Sequence, residues 1–303
     1  MKYAWINEHR DLFPATILCD VLRVSPSGYY AWLDRVPGER AMRHERIKQS
    51  VAAVYAESHG IYGSLKIVDQ LQKRDDLESA CRNTVAVAMR EMGLKSKVFK
   101  SFKPTTTQTD PTKQPAENRL DRNLTADTPN RKWVTDITYL PTAQGWIYLA
   151  VVIDLFSRKV VGWSIGNSLA TRLVSDALRR AIESRRPHGK ALLHHSDRGC
   201  QYTSHTYQQT LRTLGITCSM SRTGNCYDNA AMERFFWSLK HEWTNHDNFA
   251  DLQEARLSVF KYIETFYNPV RIHQTLGYEP VEKWRSDQLL NASRSEAPLA
   301  FKT

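Results

Sequence analysis

The sequence predicts an α/β protein, a mixed sheet flanked by helices and preceded by all-α modules of helix-turn-helix type. Three observations carry this prediction. The strand-like runs RKWVTDITYL, WIYLAVVIDLF and KVVGWSI follow one another through links too short for crossovers. Strand and helix patterns then alternate from ALLHHSD to AAMERFFWSLKHEW. Before all of these, residues 1–98 show helical spacing alone.

Five regions follow in order. In residues 1–40, Ile17, Leu18, Val21 and Leu22 have helical spacing, and after a turn Ser25 or Ser27 can cap a second helix through Trp32. That order suits a helix-turn-helix or a plain helical pair. In residues 41–98, Ile47, Val51, Val54 and Tyr55 form one stripe, HGIYG breaks it, and SLKIVDQLQKR and NTVAVAMREMGL continue as helices. Asn83 or Thr84 is the expected cap there, and Gly93 the expected C-terminal stop. This is a second helix-turn-helix candidate, with Arg82, Arg90, Lys95 and Lys97 either touching phosphate or forming an ordinary solvated face. Residues 99–130, dominated by proline, threonine and charge, read as a linker.

Residues 131–246 hold the α/β domain. Its first three strands form an antiparallel meander, with WIYLAVVIDLF apolar enough to be buried on both faces. A helix follows with Leu169, Leu173, Ala177, Leu178, Ala181 and Ile182 on one stripe. Then come ALLHHSD, a helix over SHTYQQTLRTLG that Gly215 can end, the short strand ITCSMS and a long final helix capped by Asp228. Residues 247–303 carry a helix through LQEARLSVFKYIETFY, the segment NPVRIHQTLGYEPVEKW and a polar tail expected to be disordered after Asp287.

The chain has 303 residues, 41% hydrophobic and 24% charged, which fits a globular protein of more than one domain. Its net charge of +10 suits a polyanionic partner such as DNA, although a mildly basic enzyme without one would satisfy it too. Cys19, Cys81, Cys200, Cys218 and Cys226 form no CxxC pair, which argues against zinc or disulfides and for a reducing, cytoplasmic setting. No apolar run has membrane-spanning length, and MKYAWINEHRDLF is too charged for a signal peptide.

Three acids stand out by position. Asp136 lies inside an apolar strand, where a lone carboxylate is costly to desolvate unless a cation or several donors meet it. Asp197 closes the strand ALLHHSD, and strand ends in α/β sheets are where ligands gather. Glu233 opens the final helix, beside the core stripe of Met232, Phe236, Leu239 and Trp243, with Lys240 two turns further on its own face. Any one of the three could be an ordinary salt-bridged or capping acid. Together they offer the hard oxygen ligands that two divalent cations about 3.5–4 Å apart require for phosphodiester chemistry.

The spacing of 35 residues between Asp197 and Glu233 resembles the DDE integrase-core proteins, which have a ribonuclease-H-like fold. More closely, WVTDITYL, VVIDLFSRKVVGWSI, HSDRGCQYTS and SRTGNCYDNAAMERFFWSLKHEW look like the second-reading-frame (OrfB) transposases of two-frame bacterial insertion sequences. The likeness extends to HGIYGSLKIVDQL, NTVAVAMREMGL and FYNPVRIHQTLGYEP, covering roughly residues 15–285.

The resemblance implies that Asp136, Asp197 and Glu233 are the metal-binding catalytic triad, holding two Mg²⁺ ions for which Mn²⁺ can substitute. It implies cleavage at insertion-sequence ends and transfer of the freed 3′-hydroxyl into target DNA, without a covalent protein–DNA intermediate. It places Lys240 near the scissile phosphate and suggests a homo-oligomer on DNA, with an upstream-frame product as a separate or fused partner. Cys200 and Arg234 depart from the serines usual in the group, neither at a catalytic position, and Cys200 is expected to be a buried, inert thiol.

Other residues carry two readings each. Arg222, Asn225 and Asn229 could contact DNA or orient the carboxylates. Arg271 and His273 could touch DNA or lock the C-terminal segment. Asp154 and His195 suit structural roles better than site roles, and Trp133, Tyr139 and Trp163 suit the core better than base stacking. Two rival functions stay open, a nuclease of the same fold that does not join strands and a non-catalytic DNA-binding regulator.

Overall fold

The apolar and β-branched runs of residues 132–166 become three strands in a meander. In the computed structural model, which describes residues 2–36, 38–97, 116–187, 191–221 and 229–295, these are β1 (Lys132–Thr142), β2 (Gly145–Asp154) and β3 (Val160–Gly166), paired antiparallel. Two short strands, β4 (Leu193–Ser196) and β5 (Thr217–Met220), extend the sheet in parallel on the other side of β1, giving the order β3-β2-β1-β4-β5. Reaching a parallel neighbour needs a crossover. Helix α7 (Thr171–Arg185) carries the chain from β3 to β4, and α8 (His205–Thr213) from β4 to β5. This antiparallel meander with two parallel additions is the ribonuclease-H-like arrangement that the motifs imply.

The period of two along each strand divides the core between two faces. Trp133, Ala150, Val152 and Val161 pack against Leu173, Val174, Ala177, Leu178 and Ala181 of α7, with Tyr207 and Leu211 of α8. On the other face Val134, Leu149, Val151 and Ile153 meet Met232, Phe235, Phe236 and Leu239 of α9 (Ala230–Glu242). Covered on both sides, β2 is buried from Leu149 to Asp154. Leu169 is exposed and precedes α7, so the stripe of that helix begins at Leu173.

Gly162 sets the distance between β3 and α7. A Cβ at this position would collide with the carbonyl oxygen of Ala177 and lie 2.6 Å from the backbone nitrogen of Ala181. Since α7 cannot move without unpacking the sheet, Gly162→Ala is expected to destabilise the protein by about 2–3 kcal/mol, read as a lowered denaturation midpoint. An unchanged midpoint would show that α7 does not pack so closely.

Among the described residues, six helices precede the sheet: α1 (Lys2–His9), α2 (Ala15–Val21), α3 (Pro26–Leu33), α4 (Glu39–Glu57), α5 (Ser64–Lys73) and α6 (Arg82–Glu91). The first three enclose Ile6, Leu18, Cys19 and Tyr29, and Ser25 caps α3 by accepting the Gly28 N–H at 3.4 Å. The next three share Val51, Val54, Ile67, Leu71, Val85 and Ala88, an apolar cluster continuous with the α9 face of the sheet. Cys81, not Asn83 or Thr84, occupies the N-cap of α6, and those two fall within its first turn. Gly93 takes φ +69° and stops that helix, as Gly215 with φ +66° stops α8.

Two expectations need correction. Within the region read as a linker, residues 116–130 pack on the sheet edge: the Arg119 and Leu120 N–H groups donate to the Ser219 hydroxyl at 2.9 and 3.2 Å, and Leu120 is buried. Residues 98–115 lie outside the described residues. The tail expected to be disordered after Asp287 is helical through Ser295, as α11 (Val281–Ser295). Its first turns are anchored by buried Val281, by Trp284 packed on Phe156 at 4.9 Å and by the Glu282–Lys159 ion pair at 2.7 Å. The helix α10 (Leu252–Phe260) runs on into a π-helical segment, Lys261–Tyr267. Among the described residues no helix is long and apolar enough to cross a membrane.

Candidate active site

Strand register brings two of the three acids together. β1 and β4 pair with Lys132 opposite Leu193, Trp133 opposite His194 and Val134 opposite His195. Two residues further along this register come Asp136 and Asp197, neighbours whose side chains leave the same face as Val134. That is the face covered by α9. Sequence spacing of 61 residues hides this adjacency, and parallel pairing creates it.

Each carboxylate is held. Asp136 Oδ1 accepts the Ile137 N–H at 2.8 Å and Oδ2 accepts the Asn229 amide at 2.9 Å. Asp197 Oδ1 accepts the Gly199 N–H at 2.9 Å, and a Cβ on Gly199 would crowd that same oxygen at 3.0 Å. Asn229 stands at the N-cap of α9, and Glu233 follows four residues later on the same helical face. The expected cap, Asp228, lies outside the described residues, as do Arg222 and Asn225. Asn229 is therefore the flanking residue that the structure ties to the site, through Asp136.

Electrostatics link the three acids. Burial, then the charge of Asp197 and, more weakly, that of Glu233, push Asp136 up to about 8. Burial also raises Asp197, against the Gly199 N–H. Among the described residues the donors to Asp136 are neutral, so none of them offsets the charges of Asp197 and Glu233. Among the described residues no three His, Cys, Asp or Glu side chains are close enough as placed to enclose a metal ion, and Glu233 stands exposed at the open side. In chemistry the set still fits a hard divalent cation: oxygen donors only, two of them adjacent, and excess negative charge.

Lys240 is half-buried, which lowers its pKa, and its Nζ lies 4.8 Å from the centre of the Tyr139 ring. Tyr139 packs edge-on to Trp146 at 5.1 Å and carries Lys240 at the rim of the sheet, whereas Trp133 and Trp163 are core residues.

The remaining candidates have structural places. Asp154, fully buried, accepts Arg185 Nη2 at 3.1 Å and the Ser157 hydroxyl at 3.1 Å. Ser219 Oγ already accepts two N–H groups, so its own proton goes to His195 Nδ1 at 2.9 Å, and His195 Nε2 then donates to Ser221 at 3.0 Å. His195 is thus a packed strand residue.

Of the two readings of Arg271 and His273, burial goes against DNA contact and with a place inside the C-terminal segment. Arg271 makes a two-pronged ion pair with Glu242, Nε to Oε2 at 2.6 Å and Nη2 to Oε1 at 2.5 Å, and a third bond to Ser238 Oγ at 3.1 Å. Burial alone would raise Glu242, but Arg271 holds it below the usual carboxylate range. His273 is buried against Tyr267, ring centres 4.9 Å apart. Arg271 locks the C-terminal segment to α9, and His273 is packed within that segment. Cys200, expected to be buried, is exposed. Glu242 and Tyr62, which organise this region, escaped sequence reasoning because their partners are distant in the chain.

Comparison with known proteins agrees with this layout. Integrase core domain models match residues 126–226 and 214–280, and an HTH-like domain model matches residues 42–102. Over 291 residues the chain is 38% identical to transposase InsF for insertion sequence IS3A of Escherichia coli K12, covering 95% of this chain and 100% of that protein. The chain belongs to the insertion-sequence transposases. This transposase is also 36% identical to the IS600 uncharacterized 31 kDa protein of Shigella sonnei, over 86% of its own length and 94% of that protein's. Among solved structures it is similar to the HTLV-2 integrase catalytic core domain in complex with magnesium, at 18% identity and a TM-score of 0.41, over 53% of this chain and 99% of that one. As a transposase with an integrase core, the enzyme is a polynucleotidyl transferase, and its HTH-like match spans α4, α5 and α6.

Proposed function

We propose that Asp136, Asp197 and Glu233 hold two Mg²⁺ ions, replaceable by Mn²⁺, with which the transposase cleaves DNA at insertion-sequence ends and joins the freed 3′-hydroxyl to target DNA. The observation that carries this is the pair of acid charges, Asp197 and Glu233, acting on part-buried Asp136, whose hydrogen-bond donors among the described residues are neutral. When bound, such ions supply an activated oxygen nucleophile and stabilise the leaving oxygen.

The chain's own part is to position. Asn229 and the Ile137 N–H fix the two oxygens of Asp136, and the Gly199 N–H orients Asp197. Glu233 lies exposed on the first turn of α9, where it can close on the pair. Lys240, further along that helix, offers a cation to a DNA phosphate beside the site. Arg222 and Asn225 stay candidates for DNA contact, and the α4–α6 module for holding the element end. Joining needs two ends together, so the reading includes a homo-oligomer on cytoplasmic DNA, with or without an upstream-frame product.

Asp136 also sets a pH dependence. Below about 8 its carboxyl retains a proton in the folded protein, and a divalent cation must displace that proton. The stabilisation by Mg²⁺, read as a thermal shift, is therefore expected to grow as pH rises to about 8 and then level off. A shift independent of pH would remove Asp136 from the metal site.

Pre-cleaved element ends incubated with plasmid and Mg²⁺ separate the readings. Joined products are expected. Hydrolysis without joining would make the protein a nuclease, and DNA binding unaffected by any change at Asp136, with no chemistry, would make it a regulator.

A further inference from the structure

Beside the active-site face, α9 carries a second stripe. Arg234, Ser238 and Glu242 recur every four residues and face the same way. Ser238 and Glu242 hold Arg271. The same C-terminal segment is gripped by the residues leading into α5: the Tyr62 hydroxyl donates to the Val270 carbonyl at 3.3 Å and accepts the Ile272 N–H at 2.9 Å. One helical turn on, Lys66 extends its Nζ over the Tyr62 ring, 4.9 Å from the ring centre. Catalytic helix, C-terminal segment and HTH-like module thus meet at one place.

Charge does not balance there. Lys66 feels the charges of both Arg271 and Arg234, and among the described residues Glu242 is the acid that acts on it. Arg271 already pairs with Glu242. Asp69, one turn along α5, pairs with Lys73 at 3.2 Å. Among the described residues Lys66 has no hydrogen-bond or ion-pair partner, and Arg234 has only its stack on Trp237, 4.7 Å from the ring centre. His273, buried in the same group with Nε2 unpartnered among the described residues, is held neutral by burial and by the surrounding cations, Arg158 included. Burial and the neighbouring guanidinium groups bring Lys66 down to about 8. A part-buried ammonium among guanidiniums is costly unless an anion joins it.

We propose that Lys66 and Arg234 seat a DNA-backbone phosphate between α5 of the HTH-like module and α9 of the core. A point-charge ammonium and a planar guanidinium converging from two elements suit one phosphodiester oxyanion. Arg234 directly follows Glu233, so the seat flanks the site of cleavage under the proposed function, on which this inference rests. Such a contact reads no base. It fixes the duplex against both modules at once and sets the register of the cut strand.

The test measures binding of a fluorescent duplex of arbitrary sequence to the full chain across a salt series, for wild type, Lys66→Gln, Arg234→Gln and the double variant. Each single change is expected to reduce the slope of log K against log salt by about 0.9, equally on unrelated duplexes. Lys66→Arg should keep the wild-type slope. Because the ammonium is unpaired without DNA, Lys66→Gln should melt at or above the wild-type temperature. A wild-type slope in the double variant overturns the proposal, as does equal loss in Lys66→Arg and Lys66→Gln. If inorganic phosphate raises the melting temperature of wild type but not of the double variant, while both share one DNA slope, the seat belongs to free anions and the DNA assignment fails. Wild type that binds duplex but joins no ends would sink the proposed function instead, leaving the slope measurement intact.

Discussion

Asp136→Asn is expected to reduce strand joining by about 10³-fold or more while making the metal-free protein more stable. The loss follows from the several kcal/mol that bound cations contribute to phosphodiester chemistry, at about 1.4 kcal/mol for each tenfold in rate. The gain follows from the sign of the pKa shift. Between the ordinary value near 3.8 and about 8, the folded chain holds a proton at Asp136 that the unfolded chain has released, so stability falls as pH rises through that window. Asparagine removes this penalty. Its amide also has a partner waiting, since Asn229 Oδ1 is buried and unpaired among the described residues and can accept after rotation of the amide. The melting temperature of the variant should exceed that of wild type by several degrees above pH 8 in chelator, at about 2–4 °C per kcal/mol, and match it near pH 4. A variant that loses joining and stability together would point to a structural acid.

Arg271→Ala should destabilise the fold by about 3–5 kcal/mol, because it leaves the buried Glu242 carboxylate without its counter-charge. That is a large part of the roughly 5–15 kcal/mol by which proteins are stable. Chemical denaturation measures it directly. The paired change Arg271→Met with Glu242→Leu should recover most of the loss, since apolar partners of similar size avoid desolvating either charge. If Arg271→Ala kept wild-type stability and lost only DNA affinity, Arg271 would be a DNA ligand after all.

The contrast between these two residues shows what the sequence could carry. Asp136 announced itself because an acid inside WVTDITY violates the strand's apolar pattern, and such a violation is local. Asp197 and Glu233 were legible through strand end, helix start and the spacing of the resembling family. Caps at Ser25, Gly93 and Gly215 were legible too, since backbone geometry within a turn depends on near neighbours. For Arg271 the sequence left two readings, DNA contact or locking the C-terminal segment, because its partner Glu242 is 29 residues away and a charged residue in a polar segment looks solvated until packing buries it. The same applies to residues 116–130, whose polar composition hides the N–H groups given to Ser219 and the burial of Leu120. Cys81 at the cap of α6 and the helical course of α11 depend on contacts from outside their own windows.

Under the proposed function Asp136, Asp197 and Glu233 act as one metal site for joining DNA. Glu233 is the member whose place rests least on hydrogen bonding, and its exposure makes substitution harmless to the fold. Joining of pre-cleaved element ends to plasmid by Glu233→Gln, in Mg²⁺ and with melting temperature and DNA affinity measured in parallel, is therefore the decisive measurement. The expected result is folded, DNA-binding protein that forms no joined product. Joining at the wild-type rate would contradict it.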